Sequence, residues 1–442
     1  MSPIVYKEHI ALDGLFCCRI APFYDPQLSP YLFCCARINC YEPFECMIIR
    51  RILLLMGLLW SLQTQAQSEF DSLKRNSMFD SSYQPSAKPT VVTDFVELKI
   101  QGFVQSVLYF DYNSVFDNDL FITSAIPTET KGTARFSRTH FSANQSRIAF
   151  NLKYPHTKKP LTAFIEGDFF ANGDERPNFR LRHAYVNWGD WLFGQTWTNF
   201  GDVASAPNTI DLEGPNSMPA SRVAQVRWTK NINRRWQLIL AAEEPKPDYT
   251  PLPGAKVVNP GLPEFVLKPK YKINNGYLVA SLIYKKIKYT DSAYSFSKSL
   301  YGWGLATSFY QKFEKKGTLN LFATIGKGTQ GAINDFSGLG LEALPVNDST
   351  LERVMYYGGY LAGSVIWDRR WSSTVVYSYL GLRQPTEVAT AFKLSHYVSL
   401  NGIYAINKYF TTGLEGLYGI RRNHDLSRGS AFRVMWMVRL VF

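Results

Sequence analysis

Ser430–Phe442 reads SAFRVMWMVRLVF, and its two faces separate cleanly. Phe432, Val434, Trp436, Val438, Leu440 and Phe442 fall on one side, and Arg433, Met435, Met437, Arg439 and Val441 on the other. This is the period of a β-strand, in which successive side chains point to opposite faces. An apolar face backed by charges suits a wall between lipid and water. A soluble sheet would bury the same apolar face, so the choice rests on the rest of the chain.

The segment resembles the closing strand, with its terminal aromatic, that outer-membrane barrels present to their assembly machinery. Phe442 is therefore the candidate assembly signal. The 442 residues suffice for two or three soluble domains or for one large barrel. Aromatics make up 15% of the chain, with 26 tyrosines, yet mean hydropathy is only −0.16, which excludes a bundle of apolar helices. Outside residues 48–60 no apolar stretch reaches the length of a membrane helix. A membrane protein without such helices must be a closed barrel, because an open sheet leaves backbone groups unsatisfied in lipid.

The amino-terminal region reads differently. All six cysteines (Cys17, Cys18, Cys34, Cys35, Cys40 and Cys46) precede Met47. They lack the paired spacing of a metal site, and residues 1–46 show no sustained periodicity. Met47 to Arg51 is short and basic, Ile52 to Trp60 is apolar, and Ser61 to Gln67 is polar with Ala66 at a small-residue cleavage position. Together these make a secretory signal at 47–66, too short for an anchor. Translation is expected to begin at Met47, with 1–46 a mis-called extension. Residues 67–95 are polar and rich in Ser, Lys, Asp and Pro, as in a periplasmic lead-in. Lys7, Arg19, Arg37, Arg50 and Arg51 balance Glu8, Asp13, Asp25, Glu42 and Glu45, so the chain from residue 68 keeps the whole +12. An exported chain rarely meets nucleic acid, and a pore that attracts anions accounts better for the excess.

From 96 to 442 strand patterns follow one another, about sixteen in all, an even number as bacterial barrels require. Long polar connections (113–143, 198–221, 244–265 and 327–352) alternate with tight ones at 155–159, 188–190, 274–276, 314–317, 368–370 and 407–408. Short turns belong on the periplasmic side and long loops outside. The parity leaves Phe442 at the periplasmic rim. The expected fold is an all-β transmembrane antiparallel barrel. Trp188, Trp191, Trp236, Trp367 and Trp371 sit beside turns, where an interfacial girdle would lie.

The densest segment, 161–228, holds Glu166-Gly167-Asp168, Arg180-x-Arg182-His183-Ala184-Tyr185 and Gly194-Gln195-Thr196-Trp197. Asp211-x-x-Gly214-Pro215 and Arg222-x-x-Gln225-x-Arg227 follow. In these residues and their order the chain resembles the DcaP-like family of trimeric outer-membrane porins. The phosphate-selective porins are the second resemblance. The first implies a sixteen-stranded barrel, a homotrimer, the outer membrane of a Gram-negative bacterium, and preference for small anions such as dicarboxylates.

The residues point the same way. Arg180 and Arg182 share a strand face, and Arg147 and Arg227 are expected on the lumen side of nearby strands. Guanidinium forks bind carboxylate or phosphate bidentately. Glu166 and Asp168, on the preceding strand, would hold those arginines extended, or form a structural ion-pair ladder with them. The 198–221 loop carries Asp202, Asp211 and Glu213. Folded inward it would narrow the pore and set acids against the arginines.

Other chemistry is weaker. His140 and Ser142 have the two-residue spacing of an outer-membrane phospholipase, without a convincing Asn partner or calcium loop. Asp111, Asp117 and Asp119 lack EF-hand spacing and read as a solvated loop. His156, His183, His396 and His424 form no visible metal cluster. The reading is a passive porin with no chemical step, no metal and no cofactor, its partners being outer-membrane lipid, the barrel-assembly machinery, small anionic solutes and copies of itself. A barrel hydrolase and a secreted all-β binding protein are the alternatives.

Overall fold

Strand after strand pairs with its sequence neighbour, and the last pairs with the first. The computed structural model describes residues 91–93, 95–112, 119–128, 137–171, 178–314, 316–385 and 391–442. The extension at 1–46, the signal at 47–66, nearly all of the lead-in and Asp117 lie outside these residues. The wall strands are β1 Glu97–Tyr112, β2 in two pieces (Arg138–Ser142 and Arg147–Tyr154), β3 Leu161–Ala171, β4 Asn178–Trp188, β5 Trp191–Trp197, β6 Arg222–Asn231, β7 Trp236–Glu243 and β8 Glu264–Ile273. They continue with β9 Gly276–Thr290, β10 Ser297–Phe313, β11 Gly317–Lys327, β12 Met355–Ile366, β13 Trp371–Arg383, β14 Phe392–Ala405, β15 Phe410–Asn423 and β16 Arg428–Val441. All neighbours are antiparallel, and β16 closes on β1 from Phe103↔Val441 to Tyr112↔Phe432.

Closure ends on the terminal residue. The Phe442 amide donates to the Gly102 carbonyl at 3.0 Å, and the Gly102 amide to the Phe442 carbonyl at 3.1 Å. A Cβ on Gly102 would meet the Phe442 ring at 2.8 Å, so only glycine lets this ring lie across the seam.

The sequence periodicity becomes the inside and outside of the wall. On β16, Phe432, Trp436 and Leu440 are exposed outward, whereas Arg433, Met435 and Met437 are buried inward. Trp188, Trp191, Trp236, Trp367 and Trp371 all stand exposed at the short-turn rim, where indole rings suit a membrane interface.

Several features depart from the sequence reading. The long segment 113–143 already contains the first piece of β2, which pairs with the same strand as the second. The ladder breaks between the pieces, and the Ser146 hydroxyl fills the break: it accepts from the Gln105 amide at 3.0 Å and donates to the Gln105 carbonyl at 3.3 Å. The connection 328–354 carries a hairpin of its own, Ala343–Asn347 against Thr350–Arg353. On the long-loop side 291–296 and 424–427 are short, so only some extracellular connections are long.

The lumen is also less uniformly polar than period-two reading suggests. Phe121, Ile126, Phe200, Ile210, Met218, Ile333 and Phe336, all from connections, are buried in one core with Tyr356, Val376, Leu380, Tyr397, Leu417 and Met435 of the wall. Three connections fold inward and need an apolar surface to pack on, which wall residues from Ala241 of β7 round to Met437 of β16 and Tyr109 of β1 supply.

Candidate functional site

Beyond β1 from that apolar surface, β2, β3 and β4 carry a ladder of charge. Arg147 faces Asp168 across the β2–β3 pair, and Asp168 faces Arg180 across β3–β4. Arg180 grips Asp168 with both prongs of its fork, Nε to Oδ1 at 2.9 Å and Nη2 to Oδ2 at 2.7 Å. Arg182 bridges the two acids, Nε to Glu166 Oε1 at 2.7 Å and Nη1 to Asp168 Oδ2 at 2.9 Å. Charge-assisted, bidentate geometry of this kind is the strong form of the hydrogen bond.

A β-bulge aims the cluster. Glu166 pairs with His183, yet Gly167 pairs with Leu181, so Arg182 is an extra residue in β4. Both Arg182 and His183 then turn inward, which strict alternation forbids. The freed backbone is satisfied by the Gln195 side-chain amide, which donates to the carbonyls of Leu181 and Arg182 at 3.1 and 3.2 Å. Its neighbour Gly194 holds φ +126°, open only to glycine. His183 Nδ1 meets the Thr196 hydroxyl at 3.0 Å.

Burial divides the arginines. The Arg182 side chain is 1% exposed and packs 5.6 Å from the Trp197 ring, whereas that of Arg180 is 29% exposed. Arg180 can meet a solute in the lumen, and Arg182 holds the acids in place. Arg147 is buried over the Phe103 ring. Arg222, absent from the sequence-derived set although its motif was noted, stacks on Trp197 at 4.8 Å.

Arg227 does not join this cluster. It lies across from Leu192, with Nη1 3.5 Å from Asn199 Oδ1, on the side where Lys268 and Lys270 of β8 point inward. Those lysines were missed, although Lys268, Lys270 and Lys272 at two-residue spacing in EFVLKPKYKI are a legible lumen face.

The 198–221 loop runs across the barrel interior. Asn208, Ile210 and Asp211 bond to Asn401 and Glu415 of β14 and β15, and Asn216 to Ser378 and Ser395 of β13 and β14. Pro219 bridges to Ile333 of the 328–354 connection. Its acids meet other partners than the arginine row. Asp202 lies 3.6 Å from the Lys268 ammonium. Asp211 accepts from the amides of Glu213 and Gly214 at 3.3 and 3.1 Å and from the Tyr397 hydroxyl at 3.1 Å. Burial raises the Asp211 carboxyl to about 6, and it pushes Glu213 up as well, with Asp335 and Asp211 adding to the effect. Glu166 and Asp168 already match the arginines, which leaves Asp202 and Asp211 to tie the loop to the wall.

Two of the aspartates read as a solvated loop, Asp111 and Asp119, are buried. Asp111 takes both prongs of Arg433, at 2.5 and 3.0 Å. Asp119 accepts from the Ser142 hydroxyl and lies 3.1 Å from His140 Nε2. His140 and Ser142 thus both engage one carboxylate, and His140 stacks on Tyr109 with centroids 4.4 Å apart. That arrangement does not set a base on a nucleophile. Among the described residues no cluster of His, Cys, Asp and Glu is arranged to hold a metal.

With this geometry in hand, comparison with known proteins is informative. Residues 63–328 match the family described as DcaP outer membrane protein. Among solved structures, the outer membrane channel DcaP of Acinetobacter baumannii is similar over 80% of this chain and 100% of its own, with TM-score 0.70 and 22% identity. In-vitro folded OmpT of Vibrio cholerae is similar over 80% and 100%, with TM-score 0.51 and 10% identity, a likeness of fold alone. No curated protein matches. The family match spans more than half of the chain and agrees with the closed barrel of an outer-membrane porin in a Gram-negative cell: the chain belongs to the DcaP outer membrane protein family.

Proposed function

We propose that the pore passes small hydrophilic solutes by diffusion and prefers anions, dicarboxylates among them. One observation carries the reading: among the described residues on the lumen side of β2–β8, the six cations Arg147, Arg180, Arg182, Arg227, Lys268 and Lys270 outnumber the four wall carboxylates Glu166, Asp168, Glu243 and Glu264, with Asp202 of the loop beside Lys268. A positive surplus in a narrow, low-dielectric lumen raises the local concentration of anions. Arg180, Arg227 and Lys270 are the partly exposed members, and guanidinium forks suit carboxylates. The loop crossing the lumen at 198–221 acts as the constriction. Export through the 47–66 signal, insertion guided by Phe442 and assembly as a homotrimer belong to the same proposal.

The test is a planar-bilayer recording under a salt gradient. The reversal potential is expected to report anion preference, and replacing Arg180 and Arg227 with Ala should cut dicarboxylate flux far more than flux of a neutral sugar of similar size. Cation selectivity in the unaltered protein would overturn the proposal.

A further inference from the structure

On the short-turn side of the loop that crosses the lumen, the inner face of β8–β10 carries a cationic group apart from the arginines. Lys270 of β8 follows Val266 and Lys268 on that face, and Lys272 beyond it pairs with Tyr277 of β9, which pairs in turn with Tyr310 of β10. Lys270 stands three residues above Ile273, where the turn at 274–275 begins. For strands tilted by about 40° that is about 8 Å above the short-turn rim. Arg180 stands eight residues above Trp188, the last residue of β4. The same arithmetic puts it about 20 Å above the rim. The 198–221 loop passes between the two levels, because the ammonium of Lys268, the next inward residue above Lys270, donates to the Gly201 carbonyl at 2.7 Å.

Lys270 is held in place. Its ammonium lies 3.4 Å from the centroid of the Tyr277 ring, and that ring stacks on Tyr310 with centroids 5.3 Å apart and planes at 28°. A cation on a ring face keeps its charge, and an ammonium has N–H groups left over to point away from the ring. Asp202, the acid of the loop above, lies 3.6 Å from the Lys268 ammonium, and among the described residues no carboxylate lies within ion-pair distance of Lys270. Both Lys270 and Tyr310 are partly exposed, so an N–H and a phenol O–H face the same stretch of lumen. Those are the donors a carboxylate needs. An ammonium holds it as a point charge, without the bidentate grip of a guanidinium, which suits a site from which a solute must depart.

We propose that Lys270, seated on Tyr277 and flanked by Tyr310, is a second site for small carboxylates, on the periplasmic side of the loop. It rests on the reading of an anion-preferring pore and adds an order of events to it. A solute from outside meets Arg180 first, passes the loop, and meets Lys270 before release. Two modest sites in series let a solute bind well enough to enter and weakly enough to leave.

Glutarate added to one side at a time of a planar bilayer holding the barrel tests this, with interruptions of the chloride current giving its on-rate and dwell time. K270Q should lower the on-rate about fivefold for glutarate from one side and change it less than about twofold from the other. R180A should act on the opposite side, which assigns the two sides without a label. K270R, which keeps the charge, should restore most of the on-rate. Y310F should shorten the dwell time of glutarate from the Lys270 side and leave its on-rate alone, because it removes a hydrogen bond and no charge. Faster gel migration without heating reports whether each variant is folded. Equal loss from both sides in folded K270Q, or no loss, would overturn the second site. The R180A barrel needs no change at Lys270: binding that persists from the periplasmic side supports two sites, and its disappearance means there is one. Cation selectivity in the unaltered protein would overturn the underlying reading and this site with it, so the reversal potential tells the two failures apart.

Discussion

Arg182 shows how a charged residue in a pore wall can be structural. Its guanidinium is buried between Glu166 and Asp168 and against Trp197. Removing it leaves two buried carboxylates short of a partner, an error that typically costs roughly 3–5 kcal/mol. Arg182→Ala is therefore expected to lower the temperature at which the barrel loses its unheated gel mobility. Arg180→Ala should leave that temperature nearly unchanged, because Asp168 keeps Arg182 and Arg180 is partly solvated. Equal thermal losses in the two variants would show that burial does not divide their roles. Much of this cluster is legible in the sequence: Glu166 and Asp168, like Arg180 and Arg182, are two apart and share a face at period two. The bulge is not. Strict alternation sends His183 outward, and only the pairing of Glu166 and Gly167 with His183 and Leu181 reveals the extra residue. Gln195, which satisfies the bulge, carries no signal in its own neighbourhood. Lys268 and Lys270 were within reach of the same alternation, on the face they share with Val266.

Among the elements, wall strands and inward connections differ in what their sequences disclose. The strands are legible because one face must meet lipid along their length, so apolar residues recur every second position. The first piece of β2, RTHFS, offers one exposed apolar residue, Phe141, and the pattern is too short to stand out. The connections lack any period, and their burial depends on partners distant in sequence. Asp335 illustrates this. It accepts from the amides of Thr123 and Ser124 at 2.7 and 2.8 Å and from the Thr123 hydroxyl at 3.0 Å, locking two connections together. Burial nevertheless raises its carboxyl to about 6, as it does for Asp211. A carboxyl raised in the docked state stabilises that state fully below its ordinary range near 4, and the contribution is lost as pH rises through about 6. Hydrogen exchange at Thr123, Ser124 and Ile210, corrected for intrinsic rates, is thus expected to show greater protection at pH 5 than at pH 7.5. Asp335→Asn should flatten the response at Thr123 and Ser124. Protection that instead grows with pH would mean that the accepted N–H bonds outweigh desolvation.

At the scale of the whole molecule, the barrel is asymmetric across its lumen. The arginine and lysine row lies on β2–β8, and apolar wall residues from β7 round to β16 make the surface on which the connections pack. The 198–221 loop leaves the charged side at the end of β5 and crosses to β13, β14 and β15. It therefore fills lumen space without carrying the arginines, all of which sit on wall strands. Size limit and charge preference should accordingly separate. Deleting residues 203–217, with a short glycine-serine bridge, is expected to raise single-channel conductance severalfold and to admit larger neutral sugars. Anion preference should weaken as the lumen widens and the local dielectric rises, yet keep its sign, because Arg180 and Arg227 remain. The Glu415 and Asn401 side chains that held the loop would then face water, a modest loss at the edge of a lumen. Conductance that stays at the unaltered level in a folded deletion variant would shift the constriction to the other inward segments, 119–128 and 328–354, whose Thr123 and Asp335 are joined across the same space. Reversal of selectivity would mean that Asp202, Asp211 and Glu213 set the sign of the field, by holding cations outside the charged wall.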